Sequence, residues 1–188
     1  MKLNLAFAFL FACSVFTFAQ AQTPAPAAPA AAAPVKDPVA TSLRTLLTRS
    51  QNNTIGAIDA MPADKFTYKP TPDQMTFAHL VAHIAGSNNF LCAKAANVDA
   101  PKVEEAKDTD PKDKLLAAAK ASYEFCSTAL AKMDDSHLSD TVELFGGRQF
   151  PRAMAALGLA SGWADHYAAA AMYLRLNNIL PPSAQPKK

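Results

Sequence analysis

Apolar positions along this chain fall into four long periodic blocks, separated by polar or proline-rich stretches. In the first block Val39, Leu43, Leu46, Leu47, Ile55, Ile58 and Met61 recur at spacings of three, four or their sums. That pattern predicts an amphipathic helix of about 22 residues. Asp37-Pro38 marks its start, with Asp to accept orphan N–H groups and Pro at the first helical position. The segment MPADKFTYKPTPDQ, with three prolines, breaks it. Thr76 is placed to cap a second helix carrying Phe77, Leu80, Val81, Ile84, Leu91 and Cys92 on one side. A polar connection, ANVDAPKVEEAKDTD, leads to a third helix that starts at a second Asp-Pro cap, Asp110-Pro111, and runs to about Met133, with Leu115, Leu116, Ala119, Tyr123, Cys126 and Leu130 inward. TVELFGGRQF then reads as a small hairpin, because Gly146-Gly147 accepts the positive φ angles of a tight turn.

The fourth block runs from near Pro151 to about Asn177, with Pro181-Pro182 beyond it. One stripe is Ala153, Leu157, Ala160, Ala164, Tyr167, Ala171 and Leu174; the opposite side, Gly162, Ala169 and Tyr173, is also small or apolar. A helix apolar all round is expected to be buried all round. Four helices joined by short and medium connections predict an all-α, antiparallel four-helix bundle with a hairpin-like segment before the last helix.

The chain ends lie outside that pattern. Lys2, an apolar run from Leu3 to about Phe18 and the small residues of Ala19-Gln20-Ala21 read as a secretory signal peptide over 1–21. Lipid anchoring through Cys13 is the disfavoured alternative, because the apolar run continues past it and Phe11 is large for a lipoprotein box. Residues 22–36 alternate Pro and Ala and read as a tether. The expected domain spans 37–182 and a flexible tail 183–188. This organisation implies an exported, periplasmic or extracellular protein with no lasting transmembrane segment.

A formal net charge of +2, without a basic cluster, argues against a nucleic-acid partner. Removal of the leader leaves Cys92 and Cys126, on the inner sides of neighbouring predicted helices. In an oxidising compartment they are expected to form a disulfide; the alternative is two buried free thiols.

The candidate chemistry lies in histidines. His83 falls roughly 120° from the centre of its helix's apolar stripe, a position able to line a groove. His166 shares its face with Gly162, Ala169 and Tyr173, which leave space around an imidazole. His79 points further outward, and His137 follows the third helix. Converging imidazoles bind zinc or nickel; equally, each ring can simply bond a carbonyl or a water.

MTFAHLVAHIAGSNNFLC, followed by FGGRQFPRAMAALGLASGWADHYAAAAMYLRLNNILPP, resembles the DinB-like family of four-helix bundles, which includes the YfiT-like proteins. The resemblance implies a divalent metal held by three histidines: one on the second helix, matched by His83, and two from H-x-x-x-H on the fourth. His166 matches the last of these, but the middle ligand falls on Gly162. His79 is a weak substitute, and Asp165 points away from His166. The resulting expectation is an exported protein with an incomplete histidine site that binds a small molecule or, weakly, a divalent metal. One alternative is an active metal-dependent hydrolase or thiol transferase using His83, His166 and an unrecognised third ligand. Another is a non-catalytic structural protein that pairs as a homodimer. Trp163 and Arg175 are expected to serve structural roles.

Overall fold

The computed structural model describes residues 33–186. The expected leader, Cys13 and all but the last few residues of the tether lie outside them. From Val35 onward the chain forms one compact unit. Its helices are α1 (Pro38–Ala60), α2 (Phe77–Ala96), α3 (Lys112–Ala131) and α4 (Arg152–Leu176). Strands β1 (Thr141–Glu143) and β2 (Gln149–Pro151) precede α4. They pair antiparallel with Val142 opposite Phe150, and Gly146 and Gly147 make the turn at φ 68° and 76°. The predicted bundle and hairpin are therefore both present. No helix among the described residues is long and apolar enough to cross a membrane.

The helices surround a core in which Phe77, Ile84, Leu115, Tyr123, Leu130, Leu159 and Leu174 are almost wholly buried. α1 and α3 run antiparallel and cap one another at both ends. Lys112, in the first turn of α3, donates to the carbonyls of Asp59 (2.7 Å) and Met61 (2.9 Å) at the end of α1. At the other end Arg44 donates to Leu130 O (3.0 Å) and Met133 O (3.2 Å). Each cation thus meets the negative end of a helix. α2 and α3 are joined by the Cys92–Cys126 disulfide, with Cα atoms 5.2 Å apart. Thr76 caps α2 as expected, its Oγ1 accepting from His79 N at 3.0 Å.

Two other expected caps are not formed by the residues assigned to them. Asp37 stands in the left-handed region (φ 47°) and makes no side-chain bond to its own helix. Instead the two carboxylate oxygens of Asp135 accept from Val39 N (2.8 Å) and Ala40 N (2.9 Å), while Asp37 Oδ1 accepts from Asp135 N (3.3 Å). A residue remote in sequence has taken over the local cap because the α3 exit passes directly over the start of α1. Asp110 likewise does not cap α3. Its carboxylate accepts from Lys107 N (2.9 Å) and pairs with Lys114 (3.2 Å). These contacts, the backbone bond foremost, hold its pKa below the usual aspartate value.

The helix faces also differ from the predicted stripes. On α1, Val39 and Leu46 are exposed, whereas Ala40, Ser50, Thr54 and Ala57 are buried. On α4, the inward residues are Ala155, Ala156, Leu159, Trp163, Ala170, Ala171, Tyr173 and Leu174. Leu157 is 63% exposed and Ala164 is also exposed, so α4 is not buried all round. A helix this rich in alanine has little amphipathic signal, and packing against α1 and α2 selects its inner face. Beyond α4, Pro182–Ala184 forms a short 3-10 turn. The first residue of the expected tail, Ser183, is held there: Tyr167 Oη donates to Ser183 Oγ (2.7 Å) and accepts from Ser183 N (2.9 Å).

Candidate metal and ligand site

α2 and α4 pack side by side, which brings His83 and His166 together. Their ring centres lie 4.9 Å apart with the planes at 85°, an edge-to-face pair. His83 is exposed, further out than its position on the stripe suggests, and Ser87 Oγ lies 3.3 Å from its Nε2. His166 is half-buried, and its Nδ1 is enclosed without a hydrogen-bond partner. Burial, and secondarily the neighbouring His83, lower the His166 pKa from 6.5 to about 4. Its imidazole is therefore neutral at ordinary pH and keeps a lone pair for an acid, a donor or a cation.

Beside this pair Gly162 contributes space. A Cβ added there would meet His166 Cε1 at 3.7 Å and nothing else within 4 Å. The pair thus sits at a surface opening between two helices, with a vacancy one turn before His166 where a third donor would project.

The other expected residues lie elsewhere. His79 is exposed and sits 3.6 Å from the Asp108 carboxylate, on the side of α2 that faces the α2–α3 connection, so it does not join the pair. His137 lies 3.0 Å from Asp140 beyond α3. Asp165 is exposed on α4. Tyr173, on the Gly162 side of the helix, is buried and donates to Met75 O at 2.6 Å, so its hydroxyl is committed to the α2 approach. Trp163 is a core residue, its Nε1 donating to Asn88 Oδ1 at 2.9 Å.

Asn88 anchors a polar layer that the apolar patterning did not reveal. It also donates to Ser122 Oγ (3.1 Å), and nearby Ser50 and Tyr123 share a 2.9 Å hydrogen bond across α1 and α3. Burial raises the Tyr123 pKa. The layer lies inside the bundle and draws on all four helices. Its only sequence signal was polar residues within otherwise apolar helices.

The residues present match a metal only in part. The two imidazoles stand side by side, 4.9 Å between ring centres. The third donor is missing, and among the described residues no group of three or more His, Cys, Asp or Glu side chains is placed to hold an ion. The donor set does not fit a three-histidine catalytic centre, and no reaction step follows from it.

Solved structures share the architecture. A DinB-like protein from Bacillus subtilis superposes with a TM-score of 0.62 at 20% identity, covering 77% of this chain and 99% of that one. A DinB-like protein from Bacillus cereus gives 0.62 at 15% identity, covering 76% and 95%. A mutant mycothiol-dependent maleylpyruvate isomerase gives 0.57 at 18% identity, covering 69% of this chain and 59% of that one. No curated protein sequence matches. The family model of the DinB superfamily matches residues 46–169, which include both histidines, the polar layer and the disulfide. With its four-helix architecture and that match across most of its length, the chain belongs to the DinB superfamily.

Proposed function

We propose that this is a binding protein rather than an enzyme, using His83 and His166 to hold a divalent metal weakly, or a small molecule that accepts imidazole as a ligand. One observation carries this reading: the two rings stand 4.9 Å apart at a surface opening while Gly162 leaves the third position without a donor. Two imidazoles suit zinc or nickel, but with fewer protein ligands than a tightly held ion normally has. The thiol-dependent chemistry in the name of the maleylpyruvate isomerase is not carried over, because activating a thiol requires a firmly held metal. We read the chain as exported; the Cys92–Cys126 disulfide accords with an oxidising compartment.

The test is metal content and affinity. Protein purified without chelator or a histidine tag should carry substoichiometric zinc or nickel by mass spectrometry. Titration should give a weak single site that disappears in both His83→Ala and His166→Ala. Stoichiometric metal retained through dialysis would instead indicate a complete centre, and titration curves identical in wild type and both variants would remove the histidines from the site.

A further inference from the structure

The solvent side of α4 carries a pattern that packing within the bundle does not explain. Met154, Leu157, Ser161, Ala164, Ala168 and Met172 follow one another at spacings of three or four, and all are exposed. They therefore form one stripe along the outside of the helix, while α1 and α2 pack on its other sides. Leu157 is 63% exposed and Met172 48%, and Leu176, 51% exposed, borders the stripe. Single apolar side chains in solvent are ordinary, but several in one line mark a surface suited to contact.

The stripe reads alike from both ends. Counted outward from a midpoint between Ala164 and Asp165, Ser161 and Ala168 stand equally far away, then Leu157 and Met172, then Met154 and Arg175. Small residues hold the middle and long ones both ends. Two copies of α4 laid antiparallel about a two-fold axis at that midpoint set small beside small, and Leu157 of each copy beside Met172 of the other. Crossing helices lie closest at the crossing point and diverge on either side of it. Alanine and serine at the middle permit the close approach, and the longer side chains span the widening gap. A two-fold interface requires a self-complementary surface of this kind, which an unrelated partner does not.

The face is small. From Met154 to Arg175 the helix runs about 32 Å, and the stripe is no wider than the helix, about 10 Å. It thus offers roughly 300–400 Å² per copy, below the ~800 Å² per partner of a standard stable interface. Asp165, exposed beside the axis, brings two like charges near one another and limits the affinity further.

We infer that the outer face of α4 is an interface for a second copy of this chain, forming a weak, reversible, antiparallel two-fold dimer. It does not rest on the histidine pair, which opens between α2 and α4.

Sedimentation velocity of the purified protein, from micromolar to near-millimolar concentration, should show monomer passing into dimer, with a midpoint on the order of 100 µM for an interface below the standard size. Leu157→Lys and Met172→Glu should each weaken the dimer at least tenfold, because each sets a charge against an apolar neighbour. Combined in one chain they should restore most of the loss, since each introduced lysine then lies beside an introduced glutamate of the second copy. Both positions are exposed, so the variants leave the core intact. A protein that stays monomeric throughout, or a dimer indifferent to both single substitutions, would overturn the inference. A double variant no better than the single ones would overturn the antiparallel register on which it stands.

Discussion

Gly162 stands one turn before His166 on α4, and a Cβ built on it would rest 3.7 Å from the His166 ring, an ordinary van der Waals contact. The position therefore tolerates a side chain that the natural sequence omits. Gly162→Ala should stabilise the protein by about 0.5–1 kcal/mol, because glycine in a helix interior is costly. Gly162→His should raise zinc or nickel affinity on the order of tenfold or more by supplying a third imidazole. Denaturant unfolding and competitive metal titration measure the two effects. An affinity gain that survives His166→Ala would show that the new ring does not share a site with His166.

The His166 imidazole links folding to pH. In the metal-free protein its folded pKa is about 4, against 6.5 unfolded, so between these values the unfolded chain binds more protons. The stability this residue contributes is thus fully present above about pH 6.5 and is lost as pH falls towards 4. Allowing for partial solvent screening, the loss should be roughly 1–2 kcal/mol. Unfolding midpoints measured in chelator from pH 7 to pH 4 should fall more steeply for wild type than for His166→Asn. Parallel curves would show that the ring is not desolvated in the folded state.

Asp135 caps a helix to which it does not belong, and its removal isolates that effect. Asp135→Ala leaves Val39 N and Ala40 N without their acceptors and should cost about 1–2 kcal/mol in chemical unfolding. Asp37→Ala should cost less, since its carboxylate accepts only a 3.3 Å bond from Asp135 N. Equal losses in the two variants would mean that the pair acts as a single unit.

The disulfide closes a loop with a sequence separation of 34. In the chain-entropy picture it contributes roughly 3–4 kcal/mol, so reduction should lower Tm by roughly 10 °C. Denatured but unreduced protein should show no reactive thiol at Cys92 or Cys126. Full thiol reactivity under those conditions would eliminate the cross-link.

Much of the fold was legible because each helix is announced locally. Proline-rich breaks, Thr76 and Gly146-Gly147 carry their instructions in the backbone chemistry of one or a few residues, and these elements formed where expected. The faces of α4 were not legible because alanine fits either side of a helix, so periodicity could not distinguish Leu157, left in solvent, from Leu159, in the core. The caps at Asp37 and Asp110 failed for a related reason. An aspartate before a proline identifies a helix start, but other groups can reach either the orphan N–H groups or the carboxylate itself.

The candidate site divides the same way. The two histidines, His83 and His166, and the glycine at 162 were written in the sequence. The site's exposure, the enclosed and partnerless Nδ1 of His166 and the diversion of His79 to Asp108 were not. By itself the sequence determined the number and order of helices, the hairpin and the two cysteines able to pair, because these depend on residue chemistry at short range. The tertiary structure alone decided which face of each helix meets a neighbour and which polar groups find partners, because those outcomes depend on contacts between residues far apart along the chain.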